Sequence, residues 1–154
     1  MIFYWRISIL VLVSAAIAAA HSSNYSREQF AFKNYTASTS LGYYTQTECG
    51  ELEIDHVVSL LDAWNSGAQE WDSEEREVFA NDCENHVAAC KSVNRSKGSA
   101  SPTVFRERSQ DGKGFDYKIL NWCAYLSRYI AIKNKYNLQI SLTTEEALLR
   151  SCKR

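Results

Sequence analysis

The sequence predicts a single small α+β domain, and three observations lead to this prediction. A chain of 154 residues is long enough for one domain with a hydrophobic core of its own. Hydrophobic residues make up 45% and charged residues 23% of the chain, as in ordinary globular proteins. Short segments with strand patterns stand between segments of helical periodicity, and the sequence contains no internal repeat. These features disfavour disordered, fibrous and repeat architectures.

The chain begins with a predicted signal peptide over residues 1–20. Arg6 precedes an apolar run over residues 7–17, and the three alanines at 18–20 supply a cleavage site. The apolar run is short for a bilayer span, and the alternative interpretation is an uncleaved N-terminal anchor. We therefore expect an exported protein, secreted or periplasmic, whose mature form has no membrane association.

Residues 21–50 are polar with weak periodicity, and they predict an irregular N-terminal arm with a short strand near 41–44. Residues 51–154 are expected to form the folded domain. Asp72 or Ser73 is the expected cap of its second helix, and Thr143 and Glu146 form a predicted capping box for its last. The predicted elements are, in order, a strand over 52–57, a helix near 60–64, a helix from 73 to about 81, a strand over 85–90, a helix over 92–97, a loop over 99–114, a long helix over 115–136 and a terminal helix ending at 150.

Five cysteines follow the predicted signal peptide, in a compartment where disulfides can form. None of them forms a Cys-x-x-Cys pair, so a zinc knuckle is poorly supported. The odd number predicts two disulfides and one unpaired cysteine, and it leaves the pairing open. The unpaired cysteine is either a structural residue or a reactive thiol. The five are Cys49, Cys83, Cys90, Cys123 and Cys152.

The formal net charge of −1 conceals two halves of opposite sign. Residues 21–90 contain 13 acidic and 3 basic side chains, whereas residues 91–154 contain 13 basic and 5 acidic ones. A basic half of this kind predicts either a face that binds polyanions or a set of ion pairs with the acidic half.

Three short polar segments contain the candidate catalytic and metal-binding residues. Asp55 and His56 end the first predicted strand, Asn85 begins the second, and Asn94 lies in the helix that follows. In a unit of strand, loop, second strand and helix, residues at these positions are expected to lie close together. The segments are Glu53-Ile54-Asp55-His56, Asn81-Asp82-Cys83-Glu84-Asn85-His86 and Ser92-Val93-Asn94-Arg95-Ser96-Lys97-Gly98.

These segments resemble the HNH, or His-Me finger, nuclease superfamily and its ββα-metal motif. They are most similar to exported bacterial HNH proteins that carry the blocks Asp-His-Val-Val-Ser-Leu, Phe-Ala-Asn-Asp and Asn-x-Ser-Lys-Gly, which stand here at 55–60, 79–82 and 94–98. The similarity extends over about 42–138. It implies a ββα-metal motif that is embedded in the domain over 51–154 and surrounded by helices.

The resemblance also implies roles for individual residues. His56 would be the general base, which suits an imidazole because its ordinary pKa is close to neutral pH. Asp55 and Asn94 would be the ligands of a divalent metal, Mg²⁺ first, with Mn²⁺ or another divalent ion as alternatives. Asn85 would hold the loop that orients the base.

Two cations beside the metal ligand complete the predicted site. Arg95 and Lys97 would contact substrate phosphate, and the alternative is that they form an ordinary exposed helix turn.

Two positions depart from the resemblance. His86 stands where many relatives have an apolar residue and could be a supporting group, a ligand or a packed side chain, and Cys83 could be the unpaired thiol.

The function that these features predict is an exported, metal-dependent endonuclease. Its substrate would be DNA, with RNA as an alternative, and its sequence specificity would be low because no separate DNA-reading module is present. An immunity protein is an expected partner if the nuclease is a toxin. The alternative function is a non-catalytic, secreted nucleic-acid-binding module on an HNH scaffold.

Overall fold

A computed structural model describes residues 24–113 and 115–152, so the predicted signal peptide lies outside the described residues. These residues form a small α+β domain, which confirms the predicted class. Its regular elements are β1 (Leu52–His56), α1 (Leu60–Asn65), α2 (Ser73–Ala80), β2 (His86–Cys90), α3 (Lys91–Lys97), α4 (Pro102–Arg108), α5 (Trp122–Lys135) and α6 (Leu142–Cys152).

The two strands form an antiparallel pair, and α3 follows β2 directly. The register pairs Leu52 with Cys90 at one end and His56 with His86 at the other. Each strand and each of the first three helices lies within two residues of its predicted position. The strand–strand–helix order that the sequence predicts is therefore present.

Local capping explains where the first two helices begin. The Ser59 hydroxyl accepts a hydrogen bond from the backbone N–H of Asp62 at the start of α1. Asp72, rather than Ser73, caps α2, because its carboxylate accepts from the Glu75 N–H at 2.9 Å while the Glu75 carboxylate accepts from the Asp72 N–H at 3.0 Å. This reciprocal pair satisfies two N–H groups that a helix start would otherwise leave unpaired.

The N-terminal arm contributes to the core. Its only regular features within residues 24–50 are a short 3₁₀ turn over Arg27–Phe30 and an isolated bridge between Leu41 and Glu48. Phe30 and Tyr44 are nevertheless at most 1% exposed. The ring of Tyr44 packs edge-on against other core aromatics, at 5.0 Å from Phe105 and 5.2 Å from Tyr125.

In the second half of the chain two element predictions and one predicted cap are wrong, whereas the terminal helix is present within two residues of its predicted position. Residues 102–108, predicted as loop, form α4, because Pro102 is tolerated in the first helical turn and Phe105 is completely buried. The long helix begins at Trp122 rather than near residue 115. The last helix begins at Leu142, and Ser141 rather than Thr143 accepts the capping hydrogen bond from the Thr144 N–H.

The cysteines form two disulfides, as predicted. Cys49 is bonded to Cys90, which joins the end of the arm to the end of β2. Cys123 is bonded to Cys152, which joins α5 to α6. Cys83 is unpaired and exposed. Within the part of the chain that the structure describes, no helix combines the length and the apolar character that crossing a bilayer requires.

The two oppositely charged halves are partly paired with each other. Lys97 contacts Asp55 at 3.0 Å, and Lys133 contacts Asp62 at 2.8 Å; both lysines are 1% exposed. Lys91 pairs with Glu51 nearer the surface. Internal pairing therefore accounts for part of the basic half, and it leaves Arg95 exposed without a salt bridge among the described residues.

Candidate active site

The ββα unit brings most of the predicted site residues to one pocket. Asp55 and His56 lie at the end of β1, and Asn94 and Arg95 lie on α3. All four line a pocket of about 350 Å³. Arg27, from the arm, also lines this pocket. The pocket thus combines an imidazole, a carboxylate, an amide and two guanidinium groups.

His56 is held in one tautomer. Its Nε2 lies 2.8 Å from the carbonyl oxygen of Ala80, at the end of α2. A carbonyl oxygen can only accept, so Nε2 carries the hydrogen and Nδ1 retains its lone pair. The side chain is 4% exposed, and the ring of Phe32 packs edge-on against it at 4.6 Å.

Burial also sets the charge of His56. It lowers the pKa of the imidazole to about 3, because the charged form loses its hydration. The hydrogen bond to the Ala80 carbonyl acts in the opposite direction and raises the pKa, whereas the neighbouring His86 lowers it further. The imidazole is therefore neutral at physiological pH and can accept a proton, but a pKa this low makes it a weaker base than a group whose pKa lies near the working pH.

His86 lies beside His56 and is held by the same carbonyl. Its Nε2 is 2.8 Å from the Ala80 oxygen, and its Nδ1 is 3.1 Å from the hydroxyl of Tyr35. The two imidazole rings are 4.7 Å apart and perpendicular. The sequence leaves His86 open as a supporting group, a metal ligand or a packed side chain, and these contacts favour a group that supports His56.

Asp55 is buried, and both of its carboxylate oxygens have protein contacts. It is 6% exposed, and one carboxylate oxygen accepts a hydrogen bond from the Tyr44 hydroxyl at 2.6 Å. The ammonium of Lys97 lies 3.0 Å from both carboxylate oxygens and also donates to the backbone carbonyl of His56 at 2.8 Å.

The interpretation of Lys97 as a phosphate contact does not agree with this geometry. Its side chain is 1% exposed, and its ammonium is enclosed by the Asp55 carboxylate and the His56 carbonyl. A substrate phosphate cannot reach an ammonium in that position. Lys97 instead neutralises and orients Asp55. Arg95, one residue after Asn94, is exposed and remains available to phosphate.

Asn94 is oriented by an acidic neighbour on β1. Its Nδ2 donates to the Glu53 carboxylate at 2.9 Å. The amide oxygen of Asn94 is thereby left as the acceptor that is free to meet a cation or water. Glu53 and Asp55 are two residues apart on the strand, so their side chains project from the same face, towards α3.

Asn85 is hydrogen-bonded to the segment that follows β1 and fixes its position. It is completely buried, its Oδ1 accepts from the Val58 N–H at 2.8 Å, and its Nδ2 donates to the Val58 carbonyl at 3.1 Å. Its backbone carbonyl accepts from the Val57 N–H at 2.8 Å. These contacts hold the chain directly after His56, which is the loop-holding role that the resemblance implies.

The oxygen donors in the pocket suit a hard divalent cation. Among residues 24–113 and 115–152, no group of three or more His, Cys, Asp or Glu side chains is arranged to hold a metal. A cation here would therefore be held by the Asp55 carboxylate and the Asn94 amide oxygen, with water and phosphate as further ligands. Mg²⁺ is commonly bound in this way, and a carboxylate has enough lone pairs to accept a cation besides its hydrogen bonds to Tyr44 and Lys97.

Sequence comparison identifies the family. Residues 11–151 match the family described as GmrSD restriction endonucleases, C-terminal domain. The chain belongs to this family. GmrSD C-terminal domains are of the HNH type, which confirms the resemblance drawn from the three polar segments. No solved structure matches the chain.

One curated relative is an uncharacterized secreted protein of Arthroderma benhamiae. It is 34% identical to this GmrSD-type domain over 106 residues, which cover 68% of this chain and 48% of the relative. The chain thus spans about half the length of the curated relative that it matches. The secreted relative and the two disulfides confirm the prediction that the protein is exported.

Several groups that build this GmrSD-type site have no signal in a single sequence. Tyr44 holds Asp55, and Arg27 lines the pocket, yet both come from an arm without secondary-structure pattern. The Ala80 contact with His56 is made by a backbone carbonyl, which any residue could supply. Glu53 is the exception, because its spacing from Asp55 places both carboxylates on one strand face.

Proposed function

We propose that this exported GmrSD-type domain is a metal-dependent endonuclease that hydrolyses phosphodiester bonds of DNA, with RNA as an alternative substrate and low sequence specificity. One observation carries the proposal: the neutral His56 imidazole shares its pocket with Asp55 and Asn94. A base beside two oxygen ligands is the minimum that metal-assisted phosphodiester hydrolysis requires.

The geometry supports a direct role for His56 in activating water. Nδ1 of His56 takes a proton from a water molecule as the water oxygen attacks phosphorus. The resulting imidazolium is stabilised by its Nε2–H bond to the Ala80 carbonyl, which is already in place at 2.8 Å. Asn85 and Phe32 keep the ring and its loop from moving during this transfer.

The remaining pocket residues act on the phosphate. Asp55 and Asn94 would hold the divalent cation, which would stabilise the charge that develops on the phosphate and on the leaving oxygen. Lys97 orients the Asp55 carboxylate by contact with both of its oxygens. Arg27 and Arg95 line the pocket and offer guanidinium groups to the non-bridging phosphate oxygens.

A plasmid assay tests the proposal. Supercoiled plasmid is incubated with the purified mature protein in Mg²⁺ or in EDTA, beside His56→Ala and, as a control, Glu74→Ala on the exposed face of α2. Nicking by wild type and Glu74→Ala in Mg²⁺ is expected, with none in EDTA and none by His56→Ala. Metal-dependent cutting that survives in His56→Ala would refute the role of the imidazole.

A non-catalytic nucleic-acid-binding module is the second candidate, and the Lys97 ammonium favours it. Because this ammonium contacts both Asp55 oxygens, the carboxylate is already neutralised without a metal. Binding of plasmid without cutting in Mg²⁺, Mn²⁺ and other divalent ions would support this candidate over the nuclease.

A further inference from the structure

A second, larger groove adjoins the catalytic pocket. It encloses about 1060 Å³ and runs along α3, past the Cys49–Cys90 disulfide, to the segment between α4 and α5. Arg95 lines both the groove and the catalytic pocket, so the two adjoin at this residue. A polynucleotide with one phosphate at His56 would extend past Arg95 into this groove.

Two aromatic side chains form one wall of the groove. The rings of Phe115 and Tyr117 are 5.3 Å apart with an interplanar angle of 37°. Phe115 is 50% exposed, so half of its side chain faces solvent. We call this pair the aromatic wall.

Tyr117 anchors the aromatic wall to the rest of the domain. The Tyr117 hydroxyl donates to the Ser96 hydroxyl oxygen at 2.8 Å, and the Tyr117 N–H donates to the Ser109 carbonyl at 2.9 Å. Its ring also lies 6.0 Å from that of the buried Phe105. Tyr117 is therefore anchored to α3 and to the core, and Phe115 packs against this anchored ring while half of its side chain is exposed to solvent.

Most of the charges in the groove are already engaged. Lys91 pairs with Glu51 at 2.7 Å, and Asp116 accepts from the Gly112 N–H at 3.2 Å. The guanidinium of Arg108 donates to the carbonyls of Ser96 and Lys97. Lys113 lies 3.8 Å from Asp111 and is largely exposed. Arg95 makes no hydrogen bond or ion pair within the described residues, although it interacts electrostatically with Glu51, and it is the groove cation that also lines the catalytic pocket.

This combination indicates which form of nucleic acid fits. An open aromatic ring binds a nucleobase by stacking, and it does so with any base. In a duplex, the faces of the bases are covered by their neighbours, so only an unpaired base can lie on Phe115. A strongly basic groove would favour the duplex backbone instead, but in this groove four acidic side chains balance four basic ones, Arg95 included.

We propose that the groove binds an unpaired, single-stranded segment of DNA next to the scissile phosphate, with one base stacked on Phe115 and the adjoining phosphate on Arg95. The proposal rests on the proposed nuclease function for the position of the scissile phosphate. It implies that single-stranded DNA binds and is cut in preference to the same sequence in a continuous duplex.

Binding in the absence of catalysis tests this proposal. The His56→Ala protein in EDTA is titrated against a fluorescein-labelled single strand and against the same strand in a duplex, and anisotropy is recorded. The variants added to this background are Phe115→Ala, Phe115→Trp and, as a control, Leu120→Ala, since Leu120 is 61% exposed and does not line the groove.

We expect Phe115→Ala to weaken single-strand binding about 5- to 150-fold, the range that loss of one stacked base gives. Duplex binding should change little, Phe115→Trp should restore single-strand affinity, and Leu120→Ala should bind as the background does. Equal binding of the single strand by Phe115→Ala and the background would overturn the proposal, as would equal losses for single strand and duplex.

The groove proposal and the nuclease proposal can be refuted independently of each other. If the wild type fails to cut plasmid in any divalent metal while Phe115-dependent binding persists, the nuclease proposal is refuted and the groove is retained as a single-strand site. If the wild type cuts plasmid and Phe115→Ala has no effect on single-strand binding, the groove proposal alone is refuted.

Discussion

The ammonium of Lys97 lies 3.0 Å from each of the two carboxylate oxygens of Asp55, and both side chains are almost completely buried. This contact links α3 to the end of β1, because Lys97 also donates to the His56 carbonyl. The position of the proposed base thus depends on an ion pair in the interior. Removing one member of such a pair leaves the other as an uncompensated buried charge.

We expect Lys97→Met to lower the free energy of unfolding by about 3–5 kcal/mol, because Met retains the volume of the side chain but leaves the Asp55 carboxylate unpaired. Urea denaturation followed by circular dichroism measures the change. The control is Lys33→Met, which removes an exposed ion pair with Glu77 and should change stability by less than about 1 kcal/mol. Similar small changes in both variants would contradict a structural role for Lys97.

A second prediction concerns the loop that Asn85 holds. Replacing Asn85 by Ala leaves the Val58 N–H and carbonyl without their partners in the interior. Each buried unpaired group costs about 1–3 kcal/mol, so we expect a loss of about 2–5 kcal/mol. Asn81→Ala is the matched control, because Asn81 makes comparable contacts at the surface, with the Lys33 N–H and the Ala31 carbonyl. An equal effect of the two substitutions in urea denaturation would refute the prediction.

The sequence predicted the part of the site that depends on local pattern. Asp55, His56 and Asn94 lie on elements with clear periodicity, and they share a pocket as expected. Lys97 is different, because a lysine at the end of a polar helix segment resembles an exposed one until the carboxylate that it faces is known. Contacts of that kind depend on tertiary packing between segments about 40 residues apart, which a single sequence does not specify.

The errors in secondary structure have a similar origin. Pro102 and the polar residues around it favour a loop, but burial of Phe105 stabilises a helix of seven residues there. Tertiary packing thus overrides weak local preference. The residues before Trp122 have helical spacing in the sequence, yet Tyr117 is used to join α3 to the core through Ser96 and Ser109, which requires an extended chain.

A third prediction follows from the neutral His56. Burial lowers its pKa to about 3 from an ordinary value of 6.5, so the unfolded chain binds a proton in this interval and the folded protein does not. Stability should therefore fall as the pH falls below about 6.5, before most carboxylates titrate near pH 4. Chemical denaturation between pH 7 and about 4.5 measures this slope, and His56→Gln should reduce it.

NMR titration of the imidazole signals gives an independent check of the same point. We expect no protonation of His56 above about pH 5 in the folded protein, and we expect the pKa of His86 to be lowered as well, because it is also desolvated. A His56 signal that titrates near its ordinary value of 6.5 would contradict the buried, neutral imidazole on which the proposed mechanism depends.

The last prediction separates the two disulfides by their distance from the site. Cys49–Cys90 closes a loop across 41 residues and joins the arm that carries Tyr44 to the residue directly before α3, whereas Cys123–Cys152 closes 29 residues and joins two helices that do not line the catalytic pocket. Loss of either bridge should cost about 2–5 kcal/mol of stability.

Only the first bridge should control activity. Without it, only non-covalent contacts hold the arm beside β2 and α3, among them the hydrogen bond from the Tyr43 N–H to the Ala88 carbonyl and the packing of Tyr44 in the core. The positions of Asp55 and Asn94 relative to each other are then less tightly restrained. In Cys49→Ser/Cys90→Ser we expect plasmid cleavage to fall about tenfold or more at a temperature where circular dichroism shows the protein folded, since small displacements of catalytic groups have effects of this size. Cys123→Ser/Cys152→Ser should cut close to the wild-type rate at that temperature. Equal losses of cleavage in the two double variants would show that the bridges act through global stability alone.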